Sequence, residues 1–339
     1  MTRPRMLPSA AAAPGESVNI QGIKVGQASD RKGATGITVV LCEAGAVCGL
    51  DVRGGGSSLR NPTVAQPGHR VEKVHAVFFA GGSAFGLDAG AGIMRYLEER
   101  RIGFPVRGLR IPIVTGAILF DLGVGDPLRR PDAKMAYRAC LRARSGTILE
   151  GSVGAGTGAS VGKQFGIGRA MKGGLGSASL ARGRVRVGAL AVVNAFGDIR
   201  DPQTGRILAG ARQSARGRRL VGIEAGLRRS PHARRGALDS TTLGLIATNA
   251  SLTREQACRL AAASQVALAR TLSPAHTMND GDLVFALSTG RQSCDMLVLE
   301  ALAVEALTRA MLRGIRLAKS LAGVPAWSQL GGKRSGSES

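Results

Sequence analysis

The stretch Asp239-Ser240-Thr241-Thr242-Leu243-Gly244-Leu245-Ile246-Ala247-Thr248 is the point where an Arg- and Gly-rich segment gives way to an apolar run. β-Branched residues ahead of an apolar run are typical of the beginning of a strand. The same layout suits an enzyme that cuts its own backbone, because a threonine at a new N-terminus carries a hydroxyl nucleophile beside an α-amine. That amine, with a reference pKa of about 7.7–8.0, is partly neutral at pH 7 and accepts the hydroxyl proton. Both interpretations of Thr241 are open on these residues alone.

The composition determines what kind of core the chain builds. Its 339 residues suffice for one large domain or two ordinary ones, and hydrophobic residues make up 44% of them. Aromatic residues are only 3%, so we expect a core of Ala, Val, Leu and Ile. The 49 glycines, many of them clustered, indicate tight turns and close approaches between backbone segments.

The formal net charge is +23, and arginine supplies most of the positive charge. A strongly basic chain can bind nucleic acid or another anionic surface. Here the basic residues are scattered, and no aromatic residues alternate with them to stack bases. We therefore favour a solvated basic surface, and nucleic-acid binding is kept as the alternative from a different functional class.

Cysteine and histidine spacing argues against disulfide and metal chemistry. The five cysteines form no C-x-x-C pair, and the four histidines form no H-E-x-x-H motif. We predict a reduced protein that uses no metal and no other cofactor. The Ala run at 10–13 is too short for the apolar part of a signal peptide, and no segment reaches the ~18 apolar residues of a membrane span. These features predict a cytoplasmic protein without a membrane partner.

Hydrophobic periodicity predicts a mixed α/β chain. We expect strands over 36–41, 76–80 and 189–194, and helices over 87–101, 254–272 and 297–321. Ser251 or Thr253 is the predicted cap of the helix that begins near 254. Residues 205–239 are predicted to form an exposed loop, and residues 1–17 and 331–339 to form loose tails.

Three glycine-rich segments resemble nucleotide-binding or hydrolase motifs without matching them. Residues 154–158 lack the last glycine of G-x-G-x-x-G, and Gly162-Lys163 lacks the hydroxyl residue of a P-loop. Gly82-Ser83 lacks the second glycine of a nucleophile elbow. We interpret all three as sites of tight backbone packing.

Asp280-Gly281-Asp282 is the sharpest polar motif of the chain. Its two carboxylates precede the apolar run 283–287, at a predicted junction between a loop and a strand. Side chains two residues apart on a strand face the same side, and neighbouring carboxylates hold a lysine or an ammonium group or raise each other's pKa. The alternative is an ordinary Asp-Gly turn. Taken singly, Lys163 and Asn194 indicate only a solvated lysine and an amide at the end of a strand.

Several segments, in order from about Gly33 to Val324, together carry a resemblance to one family. They are Ala34-Thr35-Gly36, Asp51-Val52-Arg53-Gly54-Gly55, Ala80-Gly81-Gly82-Ser83-Ala84-Phe85-Gly86-Leu87, Gly154-Ala155-Gly156-Thr157-Gly158, Met171-Lys172-Gly173-Gly174, Val193-Asn194, Thr241-Thr242, and His276-Thr277 with Asp280-Gly281-Asp282. The chain resembles the self-cleaving N-terminal-nucleophile peptidases and amidases of the DmpA type. That family includes L-aminopeptidase/D-amidases, β-peptidyl aminopeptidases and nylon-oligomer endohydrolases.

The resemblance implies a layered α/β/β/α sandwich that remains one catalytic domain after the chain is cut. Residues 18–240 would form its larger chain and residues 241–330 its smaller chain, with Thr241 at the new N-terminus. Homo-oligomers, often tetramers, are implied as well. The implied substrates are short peptides or linear oligoamides.

The resemblance also implies a role for each polar residue of the site. Thr241 corresponds to the nucleophile, with the cut between Ser240 and Thr241, and Asn194 corresponds to the oxyanion donor. Lys163 matches the active-site lysine of the nylon-oligomer branch, where a cation would lower the pKa of the Thr241 amine. Asp280 and Asp282 match the acid pair of that branch.

The chain departs from the family pattern at two positions. Ser240 precedes the nucleophile where Asn or Gly is usual, and Phe120 stands where some members use a tyrosine. An aminopeptidase and an oligoamide endohydrolase both fit the remaining residues. An uncleaved structural relative that kept the fold and lost the chemistry is the third alternative.

Overall fold

The computed structural model describes residues 18–229 and 240–331. The predicted tails, apart from Gly331, and residues 230–239 of the predicted Arg-rich loop lie outside the described residues. No helix in the described ranges is long and apolar enough to cross a membrane.

One large mixed sheet organises the described part of the chain. Its strands lie in the order β10-β11-β14-β16-β2-β4-β7-β3, and β1 pairs with β2. The strand bounds are β1 Lys24–Asp30, β2 Thr35–Val52, β3 Leu59–Arg60, β4 Lys73–Ala80, β5 Phe104–Val106, β6 Leu109–Ile111, β7 Val114–Ile118, β8 Ser160–Val161, β9 Met171–Lys172, β10 Gly174–Arg182, β11 Val185–Val193, β12 Asp198–Arg200, β13 Ile207–Ala209, β14 Leu243–Ala250, β15 Leu272–Ser273 and β16 Leu283–Gln292. The helices are α1 Ala89–Glu98, α2 Ala133–Leu141, α3 Ile223–Arg229, α4 Arg254–Thr271 and α5 Met296–Leu317.

Alternation of side chains along the central strands produces four layers. On β2, Val39 packs with residues of α1 and α2, whereas its neighbour Val40 lies in a core between the two halves of the sheet. On β14, Leu245 joins that central core, and Ile246 packs with residues of α4 and α5. The layers therefore have the order α, β, β, α, which confirms the predicted fold class.

β2 belongs to both halves of the sheet because it is 18 residues long. Its first part pairs with β4, and after a register irregularity between Leu41 and Ala46 its last part pairs with β16. The two halves then face each other, and the Phe79 and Phe285 rings meet with centroids 6.2 Å apart. Only a few aromatic side chains are needed, because small aliphatic residues fill the rest of this core.

The two long helices are positioned by local sequence signals. Thr253 caps α4 and forms a reciprocal capping box with Gln256. Of the two predicted caps, Ser251 and Thr253, the structure therefore has Thr253. Gly314, inside α5, lies against β10, where a Cβ would come within 2.9 Å of the Gly174 carbonyl oxygen. This glycine permits close packing of the helix on the sheet and does not interrupt the helix.

The prediction of a loop over 205–239 was wrong for two segments, which form the strand β13 (Ile207–Ala209) and the helix α3 (Ile223–Arg229). β13 pairs with β12, and α3 comes after it in the chain. The buried Asp198 carboxylate accepts the backbone N–H of Ala211 at 2.9 Å and that of Ile223 at 2.5 Å. These bonds anchor a segment whose Arg-rich sequence carries no periodicity.

Strand pairing brings three distant segments to one end of the sheet. β11 and β14 are antiparallel, with Val192 opposite Leu243, so Asn194 at the end of β11 meets Thr241 ahead of β14. β14 and β16 are parallel, and continuing their register backwards places Thr241 beside Gly281. The predicted site residues therefore meet because of sheet topology.

Candidate active site

Thr241 is buried, with 3% of its surface exposed, and its backbone is fixed on both sides. Its N–H donates to the Asn194 carbonyl oxygen at 2.7 Å, and the next N–H, that of Thr242, donates to Asp282 Oδ1 at 2.8 Å. The Thr241 hydroxyl donates to the carbonyl oxygen of Ser240 at 2.5 Å. The hydroxyl thus lies against the peptide bond that precedes it.

Asn194 and Lys163 form a buried pair beside Thr241. Lys163, only 6% exposed, donates through Nζ to Asn194 Oδ1 at 3.0 Å and to the Asn194 carbonyl at 3.3 Å. Asn194 Oδ1 also accepts the Ser160 N–H at 3.0 Å, and Nδ2 donates to the Phe120 carbonyl at 3.0 Å. The simple interpretation of Lys163 as a solvated lysine is therefore wrong, because it is buried between strands at this site.

The two acids each accept hydrogen bonds on both oxygens. Asp280 accepts the Phe196 N–H at 3.0 Å on Oδ1 and the Thr277 hydroxyl at 2.6 Å on Oδ2. Asp282 accepts Thr242 on Oδ1 and, on Oδ2, the His276 backbone N–H at 3.1 Å. Burial, and then the Asp282 charge, raise the pKa of Asp280. These acids are built into the loop that precedes β16.

The segment 53–56 cradles the acid loop with its backbone. The N–H groups of Arg53 and Gly54 donate to the Asp282 carbonyl at 2.9 and 3.1 Å, and the Gly56 N–H donates to the Asp280 carbonyl at 2.8 Å. A Cβ on Gly54 would lie 2.3 Å from the Asp280 carbonyl oxygen. Close backbone approach accounts for the glycines of this family segment.

Two further ionisable residues, Asp121 and Lys172, are buried near the site. Asp121 accepts the Thr35 hydroxyl and the Gly82 N–H, both at 2.7 Å. Lys172 is fully buried and donates to the Thr157 carbonyl at 2.7 Å and to the Ala159 carbonyl at 2.6 Å. Burial raises the pKa of Asp121 to about 6 and lowers the pKa of Lys172 to about 7. Lys172 lies in one of the family segments, whereas nothing in the sequence singled out Asp121.

Over 18–229 and 240–331, no group of three or more His, Cys, Asp or Glu side chains is arranged to hold a metal ion. All five cysteines are free thiols. The polar groups that meet at the site are a hydroxyl, a buried lysine, a side-chain amide, two carboxylates and backbone N–H groups.

Known proteins share both the sequence pattern and the fold. The model of peptidase family S58 matches residues 18–326. An uncharacterized aminopeptidase of Mycobacterium leprae is 39% identical, over 93% of this chain and 94% of its own. A 6-aminohexanoate-oligomer endohydrolase of a Kocuria species is 31% identical, over 87% of this chain and 84% of its own.

Among solved structures, the L-aminopeptidase D-Ala-esterase/amidase of Ochrobactrum anthropi superposes with a TM-score of 0.70. The match is 18% identical and covers 94% of this chain and 91% of that one. A β-aminopeptidase of a Burkholderia species gives a TM-score of 0.68 at 20% identity, over 95% of this chain and 94% of that one. The chain thus belongs to peptidase family S58, the DmpA family, and is an amide-bond hydrolase with an N-terminal-nucleophile hydrolase fold.

Proposed function

We propose that this chain cuts itself between Ser240 and Thr241 and then hydrolyses amide bonds with Thr241 as the nucleophile. The observation that carries the proposal is the Thr241 hydroxyl, buried and 2.5 Å from the carbonyl oxygen of its own preceding peptide. A hydroxyl held against a carbonyl group in this way needs little movement to attack it.

The cut converts a peptide bond into an ester and then into two chain ends. Thr241 Oγ1 bonds to the Ser240 carbonyl carbon, the carbon–nitrogen bond breaks, and the hydroxyl proton leaves with the Thr241 nitrogen. Water then hydrolyses the ester, which yields the Ser240 carboxylate, a free Thr241 hydroxyl and a free α-amine. The larger chain ends at Ser240 and the smaller one begins at Thr241.

The new amine is the proposed base for substrate hydrolysis. In the uncut chain, its nitrogen donates to the Asn194 carbonyl, which also accepts Lys163 Nζ at 3.3 Å. Because both nitrogens bind the same carbonyl oxygen, a cationic Lys163 would lower the pKa of the amine and keep it neutral. Asn194 is the proposed oxyanion donor, since one Nδ2 hydrogen binds the Phe120 carbonyl and an amide nitrogen carries two.

The proposed substrates are short peptides and linear, flexible oligoamides. Both acids already accept protein donors on each oxygen, which disfavours a dedicated clamp for a substrate ammonium group. A strict aminopeptidase is the second candidate, because the mycobacterial relatives that carry that name are 38–39% identical to this chain. We also propose that the cut protein forms homotetramers and is cytoplasmic. Light scattering of the purified protein measures the size of the assembly.

The experiment that tests self-cleavage is an intact-mass measurement of the purified protein. We expect fragments 1–240 and 241–339, and a single full-length species for Thr241→Ala, which lacks the hydroxyl. The Thr242→Ala variant is the matched control, because it removes a neighbouring hydroxyl and should still be cut. A full-length natural chain with undiminished amidase activity, or cleavage of Thr241→Ala, would refute the proposed nucleophile.

A further inference from the structure

We propose that the backbone N–H of Gly281 stabilises the oxyanion that forms on the Ser240 carbonyl during self-cleavage. The inference rests on the proposed role of Thr241 as the nucleophile. Gly281 N–H donates to the Ser240 carbonyl oxygen at 2.8 Å. An oxyanion donor must lie roughly 2.7–3.1 Å from the position that the charged oxygen takes, and this N–H already binds the oxygen on which the charge would develop.

The attack itself makes this donor necessary. As Thr241 Oγ1 bonds to the Ser240 carbonyl carbon, the π electron pair of the carbonyl moves onto its oxygen, and the hydroxyl proton passes to the Thr241 nitrogen. Collapse of the oxyanion then breaks the carbon–nitrogen bond and leaves an ester. The Thr241 hydroxyl must turn its lone pair toward carbon and so gives up its own bond to that oxygen, while Gly281 N–H stays where the charge develops.

The Gly281 peptide group is fixed at both ends, as preorganised stabilisation requires. Its carbonyl half, from Asp280, accepts the Gly56 N–H at 2.8 Å, and its N–H half binds Ser240. The flanking carboxylates hold the loop on either side, Asp280 through Phe196 N–H and Asp282 through Thr242 N–H. The two acids are thus positioning residues for this peptide group.

The absence of a side chain at Gly281 is dictated by the nucleophile. A Cβ at this position would lie 2.6 Å from Thr241 Oγ1 and 3.0 Å from the Gly56 carbonyl oxygen. Contacts under 3.0 Å require something to shift, so any other residue would displace the attacking oxygen. Gly281 therefore brings its N–H to the carbonyl and leaves room for the hydroxyl at the same time.

The direct test replaces the 280–281 amide by an ester, by placing glycolic acid at position 281 of the full-length chain during translation in vitro. This removes the N–H and keeps every side chain. We expect self-cleavage, monitored by intact mass, to slow by roughly 10²–10³-fold, as loss of one oxyanion donor does in other enzymes. The same replacement at the exposed Gly123, whose surroundings are open, should leave the rate unchanged.

The outcomes separate this inference from the proposed function. If the natural chain is not cut, or Thr241→Ala is cut, the proposed nucleophile fails. If the natural chain is cut and the Gly281 ester is cut equally fast, only the role of Gly281 is overturned.

A second measurement covers the case in which the ester chain does not fold. Asp280-Gly281 is the only Asp-Gly pair in the sequence, so labelling Asp carbonyl carbons with ¹³C and Gly nitrogens with ¹⁵N isolates one amide by NMR. In uncut Thr241→Ala, we expect the Gly281 amide to be strongly protected from hydrogen exchange. Exchange at the rate of an unstructured glycine would overturn the proposal.

Discussion

Asn194 serves Thr241 through its backbone and Lys163 through its side chain. Its carbonyl accepts the Thr241 N–H, and its Oδ1 accepts Lys163 Nζ together with the Ser160 N–H. Truncation at Cβ leaves the nitrogen of the nucleophile in place. It removes an acceptor from a buried lysine and removes the amide hydrogens proposed to meet the oxyanion.

We therefore expect Asn194→Ala to lower kcat for amide hydrolysis by roughly 10²–10³-fold, the usual effect of losing one oxyanion donor. Steady-state kinetics on a peptide amide measure the change. The control is Asn249→Ala, because Asn249 binds backbone groups of Arg184 and Arg186 at the far end of β14. Equal kcat in Asn194→Ala and the natural protein would remove Asn194 from the mechanism.

Gly281→Ala keeps the backbone N–H and tests the space beside the nucleophile. Because the added methyl group would overlap Thr241 Oγ1, we expect a strain of about 1–3 kcal/mol and self-cleavage about 10–100-fold slower. Gly123→Ala, in open surroundings, is the matched control. Time courses of cleavage on denaturing gels compare the two, and identical rates would contradict the close approach of Gly281 to the hydroxyl.

At the scale of elements, the short ribbon of β8 and β9 lies between the buried Lys172 and Asn194 at the site. Ser160 and Lys172 are partners across this ribbon. Ser160 orients Asn194 through its N–H, while Lys172 holds the carbonyls of Thr157 and Ala159 ahead of β8. The segment 157–160 thus contacts Lys172 at one end and Asn194 at the other.

Lys172 should make stability depend on pH in the alkaline range. Its pKa is about 7 in the folded protein against an ordinary value of 10.5, so the unfolded chain binds more protons between these values. Stability consequently rises as the pH increases from 7 to about 10.5, by an upper limit of about 5 kcal/mol. Below pH 7 the lysine is charged in both states, and its contribution is constant.

Urea unfolding at several pH values, in the uncut Thr241→Ala background, measures this dependence. We expect the free energy of unfolding to rise with pH for the protein with Lys172 and to lose this rise in Lys172→Met. The difference in stability between the two proteins should therefore change in favour of Lys172 as the pH increases. Parallel curves for both proteins between pH 7 and 10 would show that Lys172 titrates normally.

How far the elements could be predicted depends on which interactions fix them. The alternation around Val39 predicts a strand locally, and Thr253 marks the start of α4 within its own turn. The burial of Asp121 and Lys172 could not be predicted in this way, because charged residues normally lie at the surface and these pair with segments brought close only by the fold. The site residues Thr241 and Asn194 came from the family resemblance, and sheet register then explains their contact.

For the molecule as a whole, the position of β14 determines whether two fragments would separate after a cut ahead of this strand. β14 lies between β11 and β16 in the interior of the large sheet, and α4 and α5 belong to the same chain segment. The cut would therefore free one backbone end while both neighbouring strands keep their hydrogen bonds. This supports the proposal that the two chains stay associated.

Substrate choice is the second property of the whole molecule that can be tested. We expect hydrolysis of short peptides, their N-acetylated forms and 6-aminohexanoate oligomers, because the acids are occupied by protein donors and no ammonium clamp is expected. We also expect weak dependence on side-chain identity, because aromatic residues that could clamp a bulky side chain are scarce. Relative kcat/KM values across this panel measure the preference, with Thr241→Ala as the blank. Strict dependence on a free α-amine, without oligomer cleavage, would assign the aminopeptidase activity instead.

In the uncut chain, the Thr241 hydroxyl is hydrogen-bonded to the Ser240 carbonyl oxygen at 2.5 Å. Under the proposed mechanism, the uncut chain is a zymogen in which Ser240, the residue before the nucleophile, blocks Thr241. Self-cleavage removes this block irreversibly. Activity in a freshly made sample should then appear with a lag and rise in step with the cut fraction. Because the blocking group and the nucleophile belong to one chain, the length of that lag should not change on dilution.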